Sequence, residues 1–376
     1  MPVPVPGPVP HLLHVFSTFV PAGPETRAVR LIEAFGARFR HSILAIDGRT
    51  DARALLPATA DARILDAPPR AGTLKTTLRL RALMRRERPD LVLSYNWGAF
   101  DAVFAAQSLG LPIVHHEDGF GPDETRQQKK RRAFTRRMIL PRVKAVVVPS
   151  KNLERIAREE WGLPERLVRW IPNGIAIERF APRDGAPALR RALGIPAAAP
   201  VIGFVGHLRP EKNPKRFLQA CARVERELGM HALVLGDGPE RPALDQLAAH
   251  NAALFERVHL VGHVADPREH YRAMDVLCIS SDTEQMPVAL LEAMASALPV
   301  VSTEVGDVRA ILPEAQQALV VEAAGRETAW PLAEALTAVL KDPARREALG
   351  AANRARVEER FGFERMLAAY AGVYGA

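Results

Sequence analysis

Two glutamates stand eight positions apart in "SSDTEQMPVALLEAMASALPVVSTEVG" (280–306): Glu284 three residues before a proline, and Glu292 inside an apolar run. "DVLCISS" (275–281) reads as a buried strand and "DTEQM" as a loop. Pro287 suits the first turn of a helix, where its missing N–H is not needed. The helix is predicted to run through "VALLEAMASA" until Leu298 and Pro299 end it. Glu284 then sits at the carboxyl end of a strand, and Glu292 lies inside the helix, roughly 7–8 Å along its axis. The free amides and positive dipole end between them attract phosphate. Such a pattern can hold a diphosphate at the helix start with a carboxylate reaching hydroxyls on either side, which is the order of groups in a nucleotide-sugar. E-x7-E spacing arises often by chance, so the surrounding strand, loop, proline and helix carry the reading.

"GFVGHLRPEKN" (203–213) follows another buried run. Gly206 permits a tight turn, and Arg209 and Lys212 leave the loop at the sheet edge where Glu284 is expected. Two such cations can clamp a diphosphate and stabilise charge as it departs, whereas a merely solubilising basic loop has no reason to sit there. "LGDGPE" (235–240) sets Gly236 and Gly238 at a further strand end, a permissive turn that could frame a base, although such turns are common. "FVPAGPETR" (19–27) puts Gly23 in a loop after the first strand and Glu25 near a helix start. It is not G-x-G-x-x-G, so a dinucleotide site loses its main support. "PIVHHEDGFGPDE" (112–124) gathers His115, His116, Glu117 and Asp118 directly after a strand. Without H-x-H or H-E-x-x-H spacing, acceptor-hydroxyl binding or proton handling is expected there rather than zinc.

These loops need strands to hold them. Short β-branched runs alternate with helix-length segments: 11–17, 41–47, 90–95, 112–116, 144–150 and 168–173, then 201–206, 231–238, 257–263, 275–281 and 298–304. Runs that are apolar on both faces indicate parallel strands covered by helices. The fold class is therefore α/β, with two Rossmann-like doubly wound parallel sheets facing a cleft between domains. "RFAPRDGAPALRRALGIPAAAP" (179–200) reads as the linker, which gives an N-terminal domain over 1–178 and a C-terminal domain over 179–357. A last helix, 358–376, is expected to pack back onto a domain face.

A chain of 376 residues, 48% apolar and 25% charged, fits two globular domains and argues against disorder. No apolar stretch approaches a membrane span, and "MPVPVPGPVP" reads as a Pro-rich tail without signal-peptide character. Cys221 and Cys278 show no paired spacing, so a reducing cytoplasm and no structural metal are expected. The segment 126–144 holds nine Lys or Arg and no acid, more than the whole net charge of +8. Phe134, Met138 and Ile139 interleave with its cations. The segment is either a solvated helix face or an anion-binding surface, such as an anionic membrane, which would make the protein peripheral at the inner face. Without an aromatic platform or a recognition helix, nucleic-acid binding ranks as a remote alternative and no nucleic-acid partner is expected.

Together these motifs resemble the retaining GT-B glycosyltransferases of family 4 (glycosyl transferases group 1), over about Leu12 to Tyr370. "EQMPVALLEAMA" matches the E-x7-E motif, "VGHLRPEKN" the donor-phosphate loop, "LGDGPE" the nucleotide-side turn, "IPNGI" (171–175) the interdomain turn and "PAGPE" the N-terminal glycine loop. The resemblance implies transfer of a sugar from a UDP- or GDP-type nucleotide-sugar to the hydroxyl of a sugar or lipid-linked acceptor. It implies retention of configuration, no bound metal or other cofactor, and a place in polysaccharide or glycolipid synthesis. Glu284 would contact the donor sugar, Arg209 and Lys212 the diphosphate, and Glu292 the ribose. Gln285, Met286, Pro287, Val288 and Ala289 would line the phosphate seat, with Gly206, His207, Gly236 and Gly238 on the nucleotide side. Gly23 would approach from the first domain. His207 stands where the family commonly has Arg, and Gln285 and Pro287 replace glycines common in that loop. The family's first-domain histidine falls within "HHEDG", at His115, His116 or the site of Asp118. A nucleotide-sugar epimerase of the same architecture is the alternative.

Overall fold

The computed structural model describes residues 9–69, 71–120, 124, 128–182, 184–322 and 328–375; most of the Pro-rich tail and Arg126 lie outside them. The chain forms two compact units. One takes the chain up to Asn173 and again from Met366, and the other runs from Gly174 to Arg365.

The first unit is built on seven parallel strands: β1 (His11–Phe16), β2 (Arg40–Ala45), β3 (Ala62–Leu65), β4 (Leu91–Tyr95), β5 (Ile113–His116), β6 (Ala145–Val148) and β7 (Val168–Trp170), in the order β3-β2-β1-β4-β5-β6-β7. The second has six: β8 (Val201–Val205), β9 (His231–Leu235), β10 (Val258–Gly262), β11 (Val276–Ile279), β12 (Val300–Thr303) and β13 (Val320–Val321), in the order β10-β9-β8-β11-β12-β13. In each sheet the chain starts centrally, steps outward, returns, and continues on the other side. The reversals fall between β1 and β4 and between β8 and β11, and it is beyond the carboxyl ends of such strands that doubly wound sheets bind ligands.

Two boundaries differ from expectation. The first unit ends at Asn173, inside "IPNGI", and 179–200 is no linker. It belongs to the second unit, where it forms the helix Pro187–Ala192. Buried Arg190 donates to the Ala273 carbonyl (2.8 and 3.0 Å) and to Asp275 (2.8 Å), and this pair ties the segment to the sheet. At the other end, the helix Pro343–Arg360 stops at Phe361 and Gly362, which pair with Ile175, and a separate helix, Phe363–Tyr374, follows. Its Tyr370 and Tyr374 are buried in the first unit, so the return of the C-terminus holds from Met366 onward.

The basic segment also divides. In the helix Lys130–Ile139, Lys130, Arg131 and Arg137 are exposed, but Arg136 is fully buried. Its guanidinium donates to Glu117 at 2.8 Å and lies against the rings of Trp97, Phe120 and Trp161. Arg132 pairs with Glu124 at 2.7 Å. One-sided charge counting cannot see this, because both carboxylates precede the segment.

The first unit's core contains a polar chain. His14 bonds to His41 at 3.0 Å and to the Tyr95 hydroxyl at 2.9 Å, and His116 bonds to the Tyr374 hydroxyl at 2.9 Å. Burial pushes the His14 and His116 imidazoles well below their ordinary range, and His41 down to about 4. Folded-state values below the unfolded 6.5 mean that the unfolded chain takes up protons first as pH falls. Stability is therefore retained above pH 6.5 and lost as pH drops toward 4. His41 alone costs roughly 2 kcal/mol at pH 5 on this argument. The urea midpoint is expected to fall between pH 7.5 and pH 5, and His41→Gln should flatten that dependence.

Candidate functional site

The loops after β8 and β11 carry the second unit's candidate site residues. Beyond β8 the chain makes the turn Pro210–Lys212, and Asn213, at φ +45°, caps the helix Pro214–Leu228 by accepting from the Arg216 amide at 3.2 Å. Lys212 projects from this turn. Beyond β11, Glu284 sits in the loop ahead of the helix Val288–Ala295. Its carboxylate accepts hydrogen bonds from the Lys212 ammonium and from Ser281 Oγ at 2.8 Å. Further contacts bind the two loops. Asp282 N donates to the Glu211 carbonyl (2.8 Å) and Ser280 Oγ to the Asn213 carbonyl (3.0 Å). Arg216 reaches both the Ser280 carbonyl (2.9 Å) and the Asp282 carboxylate (2.7 Å). The carboxylate and the ammonium are thus held on a fixed base.

The helix begins one residue later than expected and ends earlier. Pro287 occupies the cap position with φ −68°, and the helix stops at Ala295 rather than continuing to Ala297. Met286 and Pro287 are buried beside it, while Gln285, Val288 and Ala289 are partly open. Glu292 lies in the second turn and accepts from the Tyr271 hydroxyl at 2.9 Å. Burial, with the Glu292 carboxylate beside it, holds that hydroxyl protonated well above its ordinary range, so it remains a donor.

Arg209 and His207 are exposed, and Arg209 lies 4.0 Å from Glu211. The turns after β8 and β9 interlock through backbone: Gly206 N donates to the Leu235 carbonyl at 3.0 Å and Leu208 N to the Asp237 carbonyl at 2.9 Å. A Cβ at Gly236 (φ +131°) would lie 1.9 Å from the Gly206 carbonyl oxygen, and one at Gly238 2.6 Å from that of Leu208. These glycines are required by a close backbone approach. The structure thus brings Glu284 and Lys212 together at the β8/β11 switch point, and packs the glycine turns after β8 and β9 against each other.

In the first unit, Gly23 opens the helix Gly23–Phe35 instead of lying in the loop before it, and it is exposed. His115 and His116 do not follow the strand but are its last two residues, and both are fully buried. His115 bonds to Ser94 Oγ at 2.9 Å, and His116 faces Tyr374. Alternation points the two rings to opposite faces of a sheet that is covered on both, so both are buried and removed from an open acceptor loop. Asp118 does follow the strand. It accepts two hydrogen bonds from Arg27, at 2.6 and 2.9 Å, and its amide donates to Asn96 Oδ1 at 2.7 Å. Arg27 also donates to Asn173 Oδ1 at 3.1 Å. Arg27 and Asn173 lie inside "FVPAGPETR" and "IPNGI", so the motifs were visible while these residues went unread. Ser281 likewise lies inside the 280–306 stretch, whereas Tyr271 and Arg216 had no such signal. A groove of about 940 Å³ in the second unit, lined by Arg223, Arg226, Trp330 and Lys341 among others, contains none of these residues. Among the described residues, no three His, Cys, Asp or Glu side chains gather as metal ligands, and no helix is long and apolar enough to cross a membrane.

Comparison with known proteins agrees with this geometry. The family model described as Glycosyltransferase Family 4 matches residues 21–179, and that described as Glycosyl transferases group 1 matches 199–342. The D-inositol 3-phosphate glycosyltransferase of Geodermatophilus obscurus is 33% identical over 307 residues, covering 76% of this chain and 66% of that protein. The enzyme of the same name from Kineococcus radiotolerans is 36% identical over 211 residues, 51% of this chain and 48% of that protein. The match thus spans about half the length of some of these curated relatives. Among solved structures, Anabaena Alr3699/HepE in complex with UDP and glucose shares the fold at a TM-score of 0.81 and 18% identity, covering 97% of this chain and 99% of that one. WaaG, a glycosyltransferase involved in lipopolysaccharide biosynthesis, does so at 0.75 and 16%, covering 97% and 100%. The two parallel sheets, the E-x7-E loop and helix, and the matches along both units make this chain a member of the group 1 glycosyl transferases, glycosyltransferase family 4, with a GT-B fold.

Proposed function

We propose that the protein transfers a hexose from a UDP- or GDP-type nucleotide-sugar to an acceptor hydroxyl with retention of configuration. The observation that carries this reading is the Lys212–Glu284 pair set beside a helix start at the β8/β11 switch point. When donor binds, Lys212 and Arg209 turn to the diphosphate, the amides around Met286 to Ala289 complete its seat, and Glu284 is released to the sugar. Glu292, oriented by Tyr271, takes the ribose hydroxyls. The bond from the anomeric carbon to the phosphate oxygen breaks while the bond to the acceptor oxygen forms on the same face, and the acceptor proton passes to the departing phosphate. Cations and helix amides fixed in place stabilise the charge that builds there. Asp118, held by Arg27 outside the buried histidines, is the first unit's remaining candidate for the acceptor.

HepE's UDP and glucose support a UDP-sugar as the first donor to try. The relatives' name puts a phosphorylated cyclitol among the acceptors to be tested, and names of transferases favour transfer over epimerisation. A polysaccharide or glycolipid product, made in the cytoplasm, follows from the same reading.

A second proposal concerns an anionic membrane surface carrying a lipid-linked acceptor. On the helix Lys130–Ile139, Phe134 is 63% and Met138 49% exposed, one turn apart and flanked by Lys130, Arg131 and Arg137. Apolar side chains framed by cations suit an acidic headgroup layer.

Three outcomes are expected. Glu284→Gln should lower sugar transfer by about 100-fold or more while the melting temperature stays within about 4 °C. Near-normal turnover would remove the carboxylate from the reaction. Neutralisation of the diphosphate by Arg209 and Lys212 requires no metal, so excess EDTA should leave turnover within about twofold, against the several kcal/mol a metal Lewis acid supplies. At about 1 kcal/mol per cation, the triple change Lys130→Glu, Arg131→Glu, Arg137→Glu should weaken sedimentation with acidic phospholipid vesicles on the order of 100-fold. Unchanged sedimentation would exclude this surface.

A further inference from the structure

The turn after β12, "TEVGD" (303–307), packs against the Glu284 loop. Thr303 Oγ1 donates to the Ser281 carbonyl at 2.7 Å, and Asp307 N donates to the Gln285 carbonyl at 3.0 Å. Between these two contacts lies Gly306, at φ +50°. A Cβ built on it would stand 2.5 Å from the carbonyl oxygens of both Glu284 and Gln285, and 2.9 Å from the Gln285 carbonyl carbon. Real Cβ atoms essentially never approach closer than 3.0 Å, and the atoms met here are backbone, which cannot swing aside as a side chain does.

The loop has little room to absorb such a push. On its C-terminal side Met286 is buried and Pro287 fixes its own φ at −68°. Displacement must therefore pass toward Glu284, whose carboxylate is pinned at its far end by Lys212 and Ser281. We infer that Gly306 is a positioning residue for Glu284: the missing side chain sets the depth at which the Glu284–Gln285 backbone rests, and through it the place of the carboxylate in the donor site. This rests on the donor reading of Glu284. The requirement is steric before it is conformational, since a residue that tolerates positive φ still brings the offending Cβ.

That distinction supplies the test. Gly306→Ala and Gly306→Asn both add the Cβ, while Asn eases the cost of positive φ. Gly194→Ala, at φ +70° with nothing within 4 Å of its Cβ, reproduces the backbone strain elsewhere in the same unit. Asp307→Pro removes the N–H that holds Gln285 without adding a Cβ at 306, and it serves if the position-306 variants fold poorly. Hydrogen exchange over residues 281–287 should quicken in both position-306 variants and in Asp307→Pro, but not in Gly194→Ala. Turnover should fall about 10- to 100-fold in the position-306 variants while UDP affinity by calorimetry stays within about threefold, because an ångström-scale misplacement acts on the reacting geometry. Unchanged exchange, or glycine-like behaviour of Gly306→Asn, would overturn the assignment. If the wild-type protein transfers no sugar from any nucleotide-sugar, the donor reading falls, and the exchange pattern still decides what Gly306 does.

Discussion

An ammonium and a carboxylate drawn together beyond the ends of β8 and β11 depend on two strands that are neighbours in the sheet while the chain leaves them in opposite directions. At such a reversal no helix crosses over the pair, so the loops above it must be secured by one another. Here that is done by Arg216, Ser280 and Asp282, with the Asn213 cap turning the chain into its helix. The backbones that carry Lys212 and Glu284 are therefore held by contacts between the loops themselves, which leave the two side chains to turn to a ligand. Preorganisation of this kind is what makes charge stabilisation effective, because little has to reorganise as the charge develops.

The same economy of space governs the glycines. Gly236 and Gly306 each face a neighbouring loop's carbonyl oxygens at distances no Cβ could occupy, and they draw the turn after β9 and the Glu284 loop against their supports. Glu292 gains its place differently. It lies on a helix whose other side fills a core with Leu290, Leu291 and Met294, and Tyr271 from that core reaches up to its carboxylate. Backbone proximity sets one end of the site and side-chain packing the other.

In the first unit, buried polarity does structural work that charge counting assigns to the surface. Arg136 belongs by sequence to the basic run, yet it serves as a pillar between the helix Lys130–Ile139 and Glu117. Removing one partner of such a pair strands the other in an apolar cage, at a cost of roughly 3–5 kcal/mol. The cations that face outward, Lys130, Arg131 and Arg137, stand beside the exposed Phe134 and Met138. The cluster His115 to Asp118 divides similarly. His115 and His116 complete a strand and are buried in the core, and Asp118, beyond the strand, is held by Arg27.

The sequence by itself determined the strand and helix alternation, the parallel two-sheet architecture and the strand–loop–proline–helix setting of Glu284 and Glu292. Each rests on local backbone preference or on apolar periodicity, which neighbouring residues report directly. It left out β3 and β13, edge strands of 4 and 2 residues, too short to show a pattern of alternation. Tertiary structure alone decided that His115 and His116 turn inward, that Arg136 is not a surface charge, that 179–200 is anchored by Arg190 and Asp275, and that Tyr271 and Gly306 support the two glutamates. Those outcomes depend on atoms meeting across about 20 to more than 250 positions of chain, where spacing along the sequence no longer encodes distance in space.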